Sequence, residues 1–312
     1  MGTTHRPRHG SLQFWPRKRV DKALPSVNWS QINTQSEGLL GFIGYKVGMA
    51  SAFVKDNTKD SLTKSKKIVI PVTILEVPGM KIYSIRFYKN NQVMKEVVVS
   101  NDKELKRVLK TPKTLGTLDN ISGYDDIRVI VYSLPKKIGF KKAPDMIELA
   151  INAKDKLAFA TNLVGKELTL AEMTKTSLLD VRGLTTGKGL VGPVKRYGIT
   201  LKQHKSEKGR RRPGSLGPWH PSRVTFRTPM SGQMGMFTRV HYNLKVVTQG
   251  NAKDKPIKSA SGFSRYGQVK NEYVVLAGSV QGPAKRQILF TPSFRPTKKQ
   301  AKKEYEFLEL ST

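Results

Sequence analysis

The sequence contains no cysteine among its 312 residues, and it is poor in acidic residues. Without cysteine the chain can form neither a disulfide nor a thiolate metal site, and it has no cysteine nucleophile. No apolar run approaches the roughly 18 residues that a membrane span requires. The basic N-terminus is followed by no apolar stretch of the secretory-signal type. These absences predict a soluble, cytoplasmic protein with no membrane partner.

Acidic residues number 23 against 56 Lys and Arg, which gives a formal net charge of +33 and an isoelectric point of about 10.3. Repulsion among so many like charges opposes a compact free chain. A lysine-rich surface of the thermophile kind would be balanced by glutamate, and this one is not. We therefore expect a polyanionic partner, above all nucleic acid.

The positive charge is concentrated in particular segments. Residues 1–22 hold six Lys and Arg and one acid, residues 182–239 hold thirteen and the single acid Glu207, and residues 283–303 hold seven and no acid. The first two segments are broken by Gly and Pro and show no helical or strand period. We expect an extended arm and a long basic loop, which order when RNA phosphates neutralise them.

Short apolar runs rich in β-branched residues lie between the basic segments and predict antiparallel strands. They cover residues 39–54, 67–77 with a break at Pro71, 81–88, 93–100, 126–134, 236–247, 272–282 and 287–292. Asn90-Asn91 is typical of a hairpin turn. Helical spacing marks residues 101–110 and 166–174, and the C-terminal KKQAKKEYEFLEL favours a short helix. The pattern predicts a mainly β fold, a β-barrel with an inserted α/β region.

The predicted organisation has seven segments. They are an extended basic N-terminal arm (1–37), a first barrel segment (38–100), the α/β insertion (101–178), a second barrel segment with a glycine-rich basic loop (179–200), a basic tryptophan loop (201–238), a third barrel segment (239–292) and a C-terminal tail (293–312).

Two glycine motifs resemble nucleotide-binding loops but lack their requirements. GKGLVG (187–192) fits the dinucleotide pattern, yet Pro193 follows at once and leaves too little helix to meet a pyrophosphate. GLTTGKG (183–189) is one residue short of a Walker A loop and has Gly189 where a magnesium-binding hydroxyl belongs. Backbone amides of such a loop also suit a nucleic-acid backbone, and a plain glycine-rich turn is the alternative.

Catalytic and metal-binding patterns are missing as well. The histidines, His5, His9, His204, His220 and His241, have neither metal-ligand spacing nor a neighbouring pair of carboxylates. No Ser/His/Asp arrangement is suggested. We predict no catalytic residue, no cofactor, no metal and no small-molecule substrate, so the chain is not expected to be an enzyme.

Trp219 lies in RRRPGSLGPWHPSRV (210–224), a stretch too rich in Arg, Gly and Pro to build a core. Arginine binds phosphates and stacks on bases, and an indole ring offers a further stacking surface. We expect Trp219 to pack against folded RNA. The alternative is that the loop folds back and Trp219 covers the end of the barrel.

Five motifs, in this order, resemble the ribosomal protein L3 family in its archaeal and eukaryotic form, and most closely the archaeal one. They are HGSLQFWPRKR (9–19), GFIGYKVGM (41–49), TTGKGLVGPVKRYG (185–198), GSLGPWHPSRV (214–224) and GSVQGPAKR (278–286). The resemblance runs over essentially the whole chain. It departs from the family pattern at Gln13, at Ala50 and at Met236-Phe237, which loosens residue-level transfer there. The modified histidine of eukaryotic relatives has no secure counterpart.

The resemblance implies a translation-protein-type β-barrel on the surface of the large ribosomal subunit. It also implies an arm and a central loop that enter 23S-type rRNA, with Trp219 at a loop tip directed toward the peptidyl transferase centre. Implied partners are that rRNA and neighbouring large-subunit proteins, and no homo-oligomer is expected. In the family the protein supports subunit assembly, and peptide-bond formation belongs to the RNA.

Charge, motif position and resemblance together give the candidate RNA-binding residues. They are His5, Arg6, Arg8, His9, Arg17, Lys18, Arg19, Lys46, Lys188, Lys195, Arg196, Lys202, His204, Lys205, Lys208, Arg210, Arg211, Arg212, Trp219, His220, Arg223, Arg227, Arg239, Lys285 and Arg286. A free, sequence-tolerant architectural nucleic-acid-binding protein is the alternative function. An RNA-modifying or RNA-cleaving enzyme would need an acid/base pair or a cofactor loop, and the sequence offers neither.

Overall fold

The computed structural model describes residues 7–118, 121–206, 208–257 and 262–311. The chain forms two compact units. The smaller one, here called the basic unit, comprises Met1–Lys22 and Leu184–Thr238, and the larger one, the barrel unit, comprises Ala23–Gly183 and Arg239–Thr312. The predicted sites His5 and Arg6 lie outside the described residues, as does Glu207.

Strands dominate the described residues, which confirms the mainly β prediction. The strands are β1 (Gly38–Leu39), β2 (Phe42–Asp56), β3 (Lys67–Val77), β4 (Met80–Lys89), β5 (Gln92–Val98), β6 (Asp126–Ser133), β7 (Met146–Asn152), β8 (Leu178–Leu184), β9 (Gly189–Val191), β10 (Gly232–Met234), β11 (Thr238–Asn251), β12 (Glu272–Ala277), β13 (Gln287–Pro292) and β14 (Tyr305–Ser311). The helices are α1 (Lys156–Leu163), α2 (Pro193–Tyr197) and α3 (Lys298–Ala301).

The barrel is one sheet in the order β13–β8–β11–β12–β3–β2–β14, and β13 also pairs with β2. The second pairing closes six strands into a ring, and β14 extends it along β2. Strand β8 is buried along its whole length, and the rings of Phe42 and Phe290 stack inside with centroids 6.1 Å apart. Closure removes most of the exposed sheet edge that short strands would otherwise present.

Strand β3 runs through Pro71 without the predicted break. The last pair between β3 and β12 is Ala277 with Val72, and the Pro71 carbonyl accepts a hydrogen bond from the Gly278 amide 2.8 Å away. The backbone nitrogen of Pro71 faces the same side, just beyond the end of β12, where no strand needs its missing N–H.

A second antiparallel sheet has the order β1–β7–β6–β4–β5. The predicted hairpin is present: Lys89 pairs with Gln92, and Asn90 and Asn91 have φ values of 49° and 61°, as a type I′ turn requires. The structure places this hairpin in the second sheet, where β4 pairs with β6, rather than in the barrel. The alternation of apolar and polar residues along a strand shows which face of the strand is buried, but it does not show which sheet the strand joins.

The two sheets of the barrel unit share a hydrophobic core that includes Phe42 and Phe290 from the barrel and Phe87 from the second sheet. The Tyr45 hydroxyl donates to Asp145 Oδ2 at 2.5 Å and lies 2.8 Å from the Ser133 hydroxyl. Burial and the Asp145 charge raise the pKa of Tyr45, so the phenol stays a neutral donor.

Two helix predictions were wrong, and the prediction of a short C-terminal helix was confirmed only for Lys298–Ala301. Residues 101–110 contain only the 3-10 turn Leu105–Arg107, and residues 166–174 only the 3-10 turn Leu170–Glu172. Leu105 is buried whereas Val108 is 49% exposed, so no continuous apolar face supports a longer helix. At the C-terminus the short α3 gives way to β14, because Tyr305–Ser311 completes the pairing of β2. No helix in the described residues is long and apolar enough to span a membrane.

Candidate RNA interface

Strands β9 and β10 form a short antiparallel ribbon at the base of the central loop. The Thr185 amide donates to the Phe237 carbonyl at 3.0 Å, and the Lys188 amide donates to the Met234 carbonyl at 2.9 Å. Gly235 has φ +78°, and a Cβ atom there would lie 2.0 Å from the Thr186 carbonyl oxygen. Only glycine fits this close approach.

The glycine motif at 187–192 therefore builds a strand rather than a nucleotide-binding loop. Its third glycine, Gly192, precedes α2, which has only five residues, starts at Pro193 and is followed by the left-handed cap residue Gly198. A helix this short offers little dipole to a pyrophosphate. Lys188 and Lys195 are exposed on this base.

Arg196 holds the base of the loop together. Its guanidinium donates to the carbonyls of Gln233 and Met230, both at 3.0 Å, and to that of Arg17 at 3.5 Å. Because these donors are engaged within the basic unit, Arg196 has fewer left for a phosphate than its exposed neighbours have. Its main contribution is to keep the cationic segments in place.

The arm contains no helix or strand over residues 7–22, and its side chains attach it to the rest of the basic unit. Arg17 lies over the rings of Tyr197 and Trp15, and the Trp15 and Phe226 rings meet edge to face at 5.1 Å. The Val20 amide donates to the Met236 carbonyl at 3.1 Å. Sequence reasoning missed the roles of Trp15 and Tyr197, because an aromatic residue in a basic arm gives no sign of its packing partner.

The arginine-rich portion of the loop doubles back on itself. The Lys202 amide donates to the Arg210 carbonyl at 3.0 Å, and Arg210 Nε donates to the Lys202 carbonyl at 3.3 Å. A cleft of about 590 Å³ opens beside this turn. Its wall contains four arginines and no acidic residue; the arginines are Arg8, Arg212, Arg223 and Arg227. Leu201 and Leu216 give it apolar surface, so the cleft suits an anion attached to a flat ring.

The tip of the loop presents Trp219 to solvent, with 87% of the residue exposed. Next to it, the peptide bond between His220 and Pro221 is cis, and the Arg223 amide donates to the Pro221 carbonyl at 2.7 Å. A ring this exposed is not covered by the described residues of its own unit. An exposed indole without a partner among the residues that the structure describes favours an external stacking surface.

Candidate residues of the barrel unit have different surroundings. Lys46 donates through Nζ to the carbonyls of Val280 and Gly282, and burial lowers the pKa of its ammonium. Burial also lowers the pKa of Arg286, and Arg239 is half-buried. Lys285 is exposed. Lys46 thus fixes a turn of its own unit, which leaves Lys285 as the most accessible cation in this group.

The predicted residues within the described ranges divide by exposure. Fully exposed are Arg8, Lys18, Arg19, Lys188, Lys195, His204, Lys205, Lys208, Arg210, Arg211, Arg212, Trp219, His220, Arg223, Arg227 and Lys285. Half-buried are His9, Arg17, Lys46, Arg196, Lys202, Arg239 and Arg286.

Charge is far denser in the basic unit than in the barrel unit. The basic unit has 17 Lys and Arg against two acids in 77 residues, whereas the barrel unit has 39 against 21 in 235. The net positive charge per residue is thus about two and a half times higher in the basic unit. Over the described ranges, no cluster of three or more His, Asp or Glu residues could hold a metal ion. This composition and geometry fit a polyanion-binding surface.

The family model described as ribosomal protein L3 matches residues 1–110 and 86–310, which together cover nearly the whole chain. The chain belongs to the ribosomal protein L3 family. Archaeal relatives named large ribosomal subunit protein uL3 agree with the archaeal form inferred from the motifs. The relative from Methanoregula boonei is 37% identical over 95% of this chain and 94% of its own length.

Two further L3 relatives match to the same extent. The protein from Methanocaldococcus jannaschii is 38% identical over 94% of this chain and 92% of its own length. The protein from Archaeoglobus fulgidus is 38% identical over 94% of this chain and 93% of its own length. Coverage of this extent includes both units, so the similarity to L3 proteins is not confined to the barrel.

Proposed function

We propose that this L3-family chain is a structural component of the large ribosomal subunit and that its basic unit binds 23S-type rRNA. The observation that supports this most strongly is the basic unit itself, with 17 cationic side chains against two acids and Trp219 exposed at its tip. Membership of the L3 family indicates that the chain acts in the ribosome. The charge distribution indicates which of its surfaces contacts the RNA.

Binding starts with the phosphates. Each phosphate that a Lys or Arg neutralises releases condensed counterions, so affinity falls steeply with salt concentration. The exposed guanidiniums of Arg210, Arg211 and Arg212 are suited to this contact because each is a planar donor fork. RNA also supplies the counter-charge that completes the ordering of the arm and the central loop.

Specificity arises from unpaired bases rather than from reading a groove. The deep major groove of an RNA helix excludes side chains, whereas looped-out bases stack on aromatic rings and guanidiniums. Trp219 and Arg223 are both exposed at the tip of the loop. We propose that this tip extends toward the peptidyl transferase centre, where it shapes RNA without taking a chemical step.

The experiment that tests this proposal is sedimentation of the native chain with ribosomal subunits on a sucrose gradient after a wash in high salt. We expect the chain to remain with the large subunit, because many phosphate contacts and buried aromatic contacts act together. A free architectural protein would leave the subunit in the wash and bind duplex DNA broadly. Loss of the chain from the large-subunit fraction at moderate salt would contradict the proposal.

A further inference from the structure

A second cationic surface lies in the barrel unit and contains none of the candidate RNA-binding residues. It combines the loop between β2 and β3 and the first residue of β3, residues 57–67, with α3 and the two residues that follow it, 298–303. We call it the lysine face. Its cations are Lys59, Lys64, Lys66, Lys67, Lys298, Lys299, Lys302 and Lys303, of which only Lys303 is half-buried and the rest are exposed.

The fold brings these two segments together from opposite ends of the chain. The Asn57 amide donates to the Glu304 carbonyl at 2.9 Å, and the Glu304 amide donates to the Thr58 hydroxyl at 3.1 Å. Strand β14 then continues along β2, starting with Tyr305 opposite Asp56. Lysines about 240 residues apart in sequence thus share one end of the barrel.

The β2–β3 loop is held in shape by the protein alone. The buried carboxylate of Asp56 accepts hydrogen bonds from the Thr58 amide at 3.0 Å, from the Ser61 hydroxyl at 2.7 Å and from the Thr63 hydroxyl at 2.5 Å. The Asp56 carbonyl also accepts from the Ser65 amide at 2.7 Å. A loop that is ordered before binding loses little conformational entropy when a partner docks on it.

The cations of this face are not neutralised within the protein. In the second sheet, lysines form ion pairs with nearby acids, as Lys81 does with Asp102 at 3.1 Å and Lys141 with Asp145 at 2.6 Å. None of the eight lysines of the lysine face forms an ion pair with any residue that the structure describes. The two segments hold eight lysines against one acid, Asp60, and an external polyanion would offset this excess of positive charge.

We propose that the lysine face is a second, independent rRNA contact, which binds the phosphate backbone of the RNA. The inference rests on the proposed function for the identity of the polyanion, but not on the basic unit. Every cation here is a lysine, a compact point charge suited to phosphate, whereas the basic unit combines arginines with exposed aromatic rings. The lysine face therefore contributes affinity and orientation, and the basic unit contributes base recognition.

The test compares full-length variants by their affinity for deproteinised large-subunit rRNA at several KCl concentrations. The lysine-face variant carries Lys59→Gln, Lys64→Gln, Lys66→Gln and Lys67→Gln. The matched control carries Lys95→Gln, Lys103→Gln, Lys106→Gln and Lys110→Gln, which are equally exposed and likewise unpaired among the described residues. We expect the steepness of the slope of log K against log[KCl] to decrease by up to about 3.6 in the lysine-face variant and by much less in the control.

Equal slopes in the two variants would overturn the lysine face while leaving rRNA binding by the basic unit intact. Failure of the wild-type chain to bind the rRNA would instead contradict the proposed function. Chemical acetylation of lysines in intact large subunits, before and after nuclease digestion, identifies the partner of the lysine face. Protection of Lys59 and Lys302 that disappears after nuclease digestion supports RNA, and protection that survives digestion assigns the face to an acidic protein and overturns the proposal.

Discussion

The guanidinium carbon of Arg17 lies 4.3 Å from the centroid of the Tyr197 ring. The same guanidinium donates to the Ser11 carbonyl at 3.0 Å, and Gly10, at φ +78°, passes so close that a Cβ atom would lie 2.6 Å from the Tyr197 ring. This pair therefore helps to fix the path of the arm over α2, together with the contacts of Trp15 and Val20. The most basic portion of the chain has an internal anchor that its composition did not reveal.

Replacing Arg17 with alanine should loosen the arm. A cation–π contact contributes on the order of 0.5–2 kcal/mol, so the opening equilibrium should rise roughly two- to thirtyfold. Hydrogen exchange of the Val20 amide, which donates to Met236 in the folded arm, reports this opening in the free protein. Arg19→Ala removes the same charge from an exposed side chain and should leave the exchange rate unchanged. Equal exchange rates of the Val20 amide in the two variants would show that the contact between Arg17 and Tyr197 does not hold the arm.

The double substitution Arg211→Ala with Arg212→Ala should weaken rRNA binding and flatten its salt dependence by up to about 2 in the log–log slope. Both side chains are exposed, so folding should be unaffected. Filter binding across a range of KCl concentrations measures the slope. Arg107→Ala with Lys110→Ala, exposed in the barrel unit, is the matched charge control. A slope equal to that of the wild type would exclude this arginine pair from the RNA contact.

Trp219→Ala should leave the stability of the free chain unchanged while it perturbs peptidyl-transferase-linked function. The residue is 87% exposed, so its removal uncovers almost no apolar surface. Trp29, only 4% exposed in the core of the barrel unit, is the control. Trp29→Ala should cost about 3–5 kcal/mol of unfolding free energy. Thermal unfolding followed by circular dichroism separates the two, and a large loss of stability in Trp219→Ala would make it a core residue.

The β2–β3 loop should lose its order only in strong acid. Hydrogen bonds from Thr58 and Thr63 hold the pKa of Asp56 well below its usual value. Because the folded-state pKa is depressed, the stabilisation is complete above the unfolded pKa of about 4 and is lost as pH falls through the folded value. The amide resonance of Thr58 follows this titration. In Asp56→Asn the resonance should show no such transition, and a midpoint near pH 4 in the wild type would contradict the prediction.

Local sequence patterns predicted the strands better than the helices. The hairpin at Asn90-Asn91 was predictable because both asparagines tolerate the left-handed backbone that a two-residue turn needs. The helix at residues 101–110 failed because only Leu105 finds a buried site there. Helix α1 was missed although Asp155 caps it, accepting from the amides of Leu157 and Ala158 at 3.0 Å. The helix has only eight residues, about two turns, so its apolar residues repeat too few times for a helical pattern to be recognised.

The sequence by itself determined the uneven distribution of positive charge, the mainly β composition and the family, because each depends on residues near one another in the chain. Only the tertiary structure decided which strands meet. The closure of β13 on β2, the second sheet that takes up the hairpin, and the junction of residues 57–67 with 298–304 all join distant segments. Buried Glu76 shows the same dependence, since it accepts hydrogen bonds from Tyr266 at 2.6 Å and from Asn271 at 2.7 Å, both almost 200 residues away. Such pairings depend on packing against the rest of the protein, and no local period encodes them.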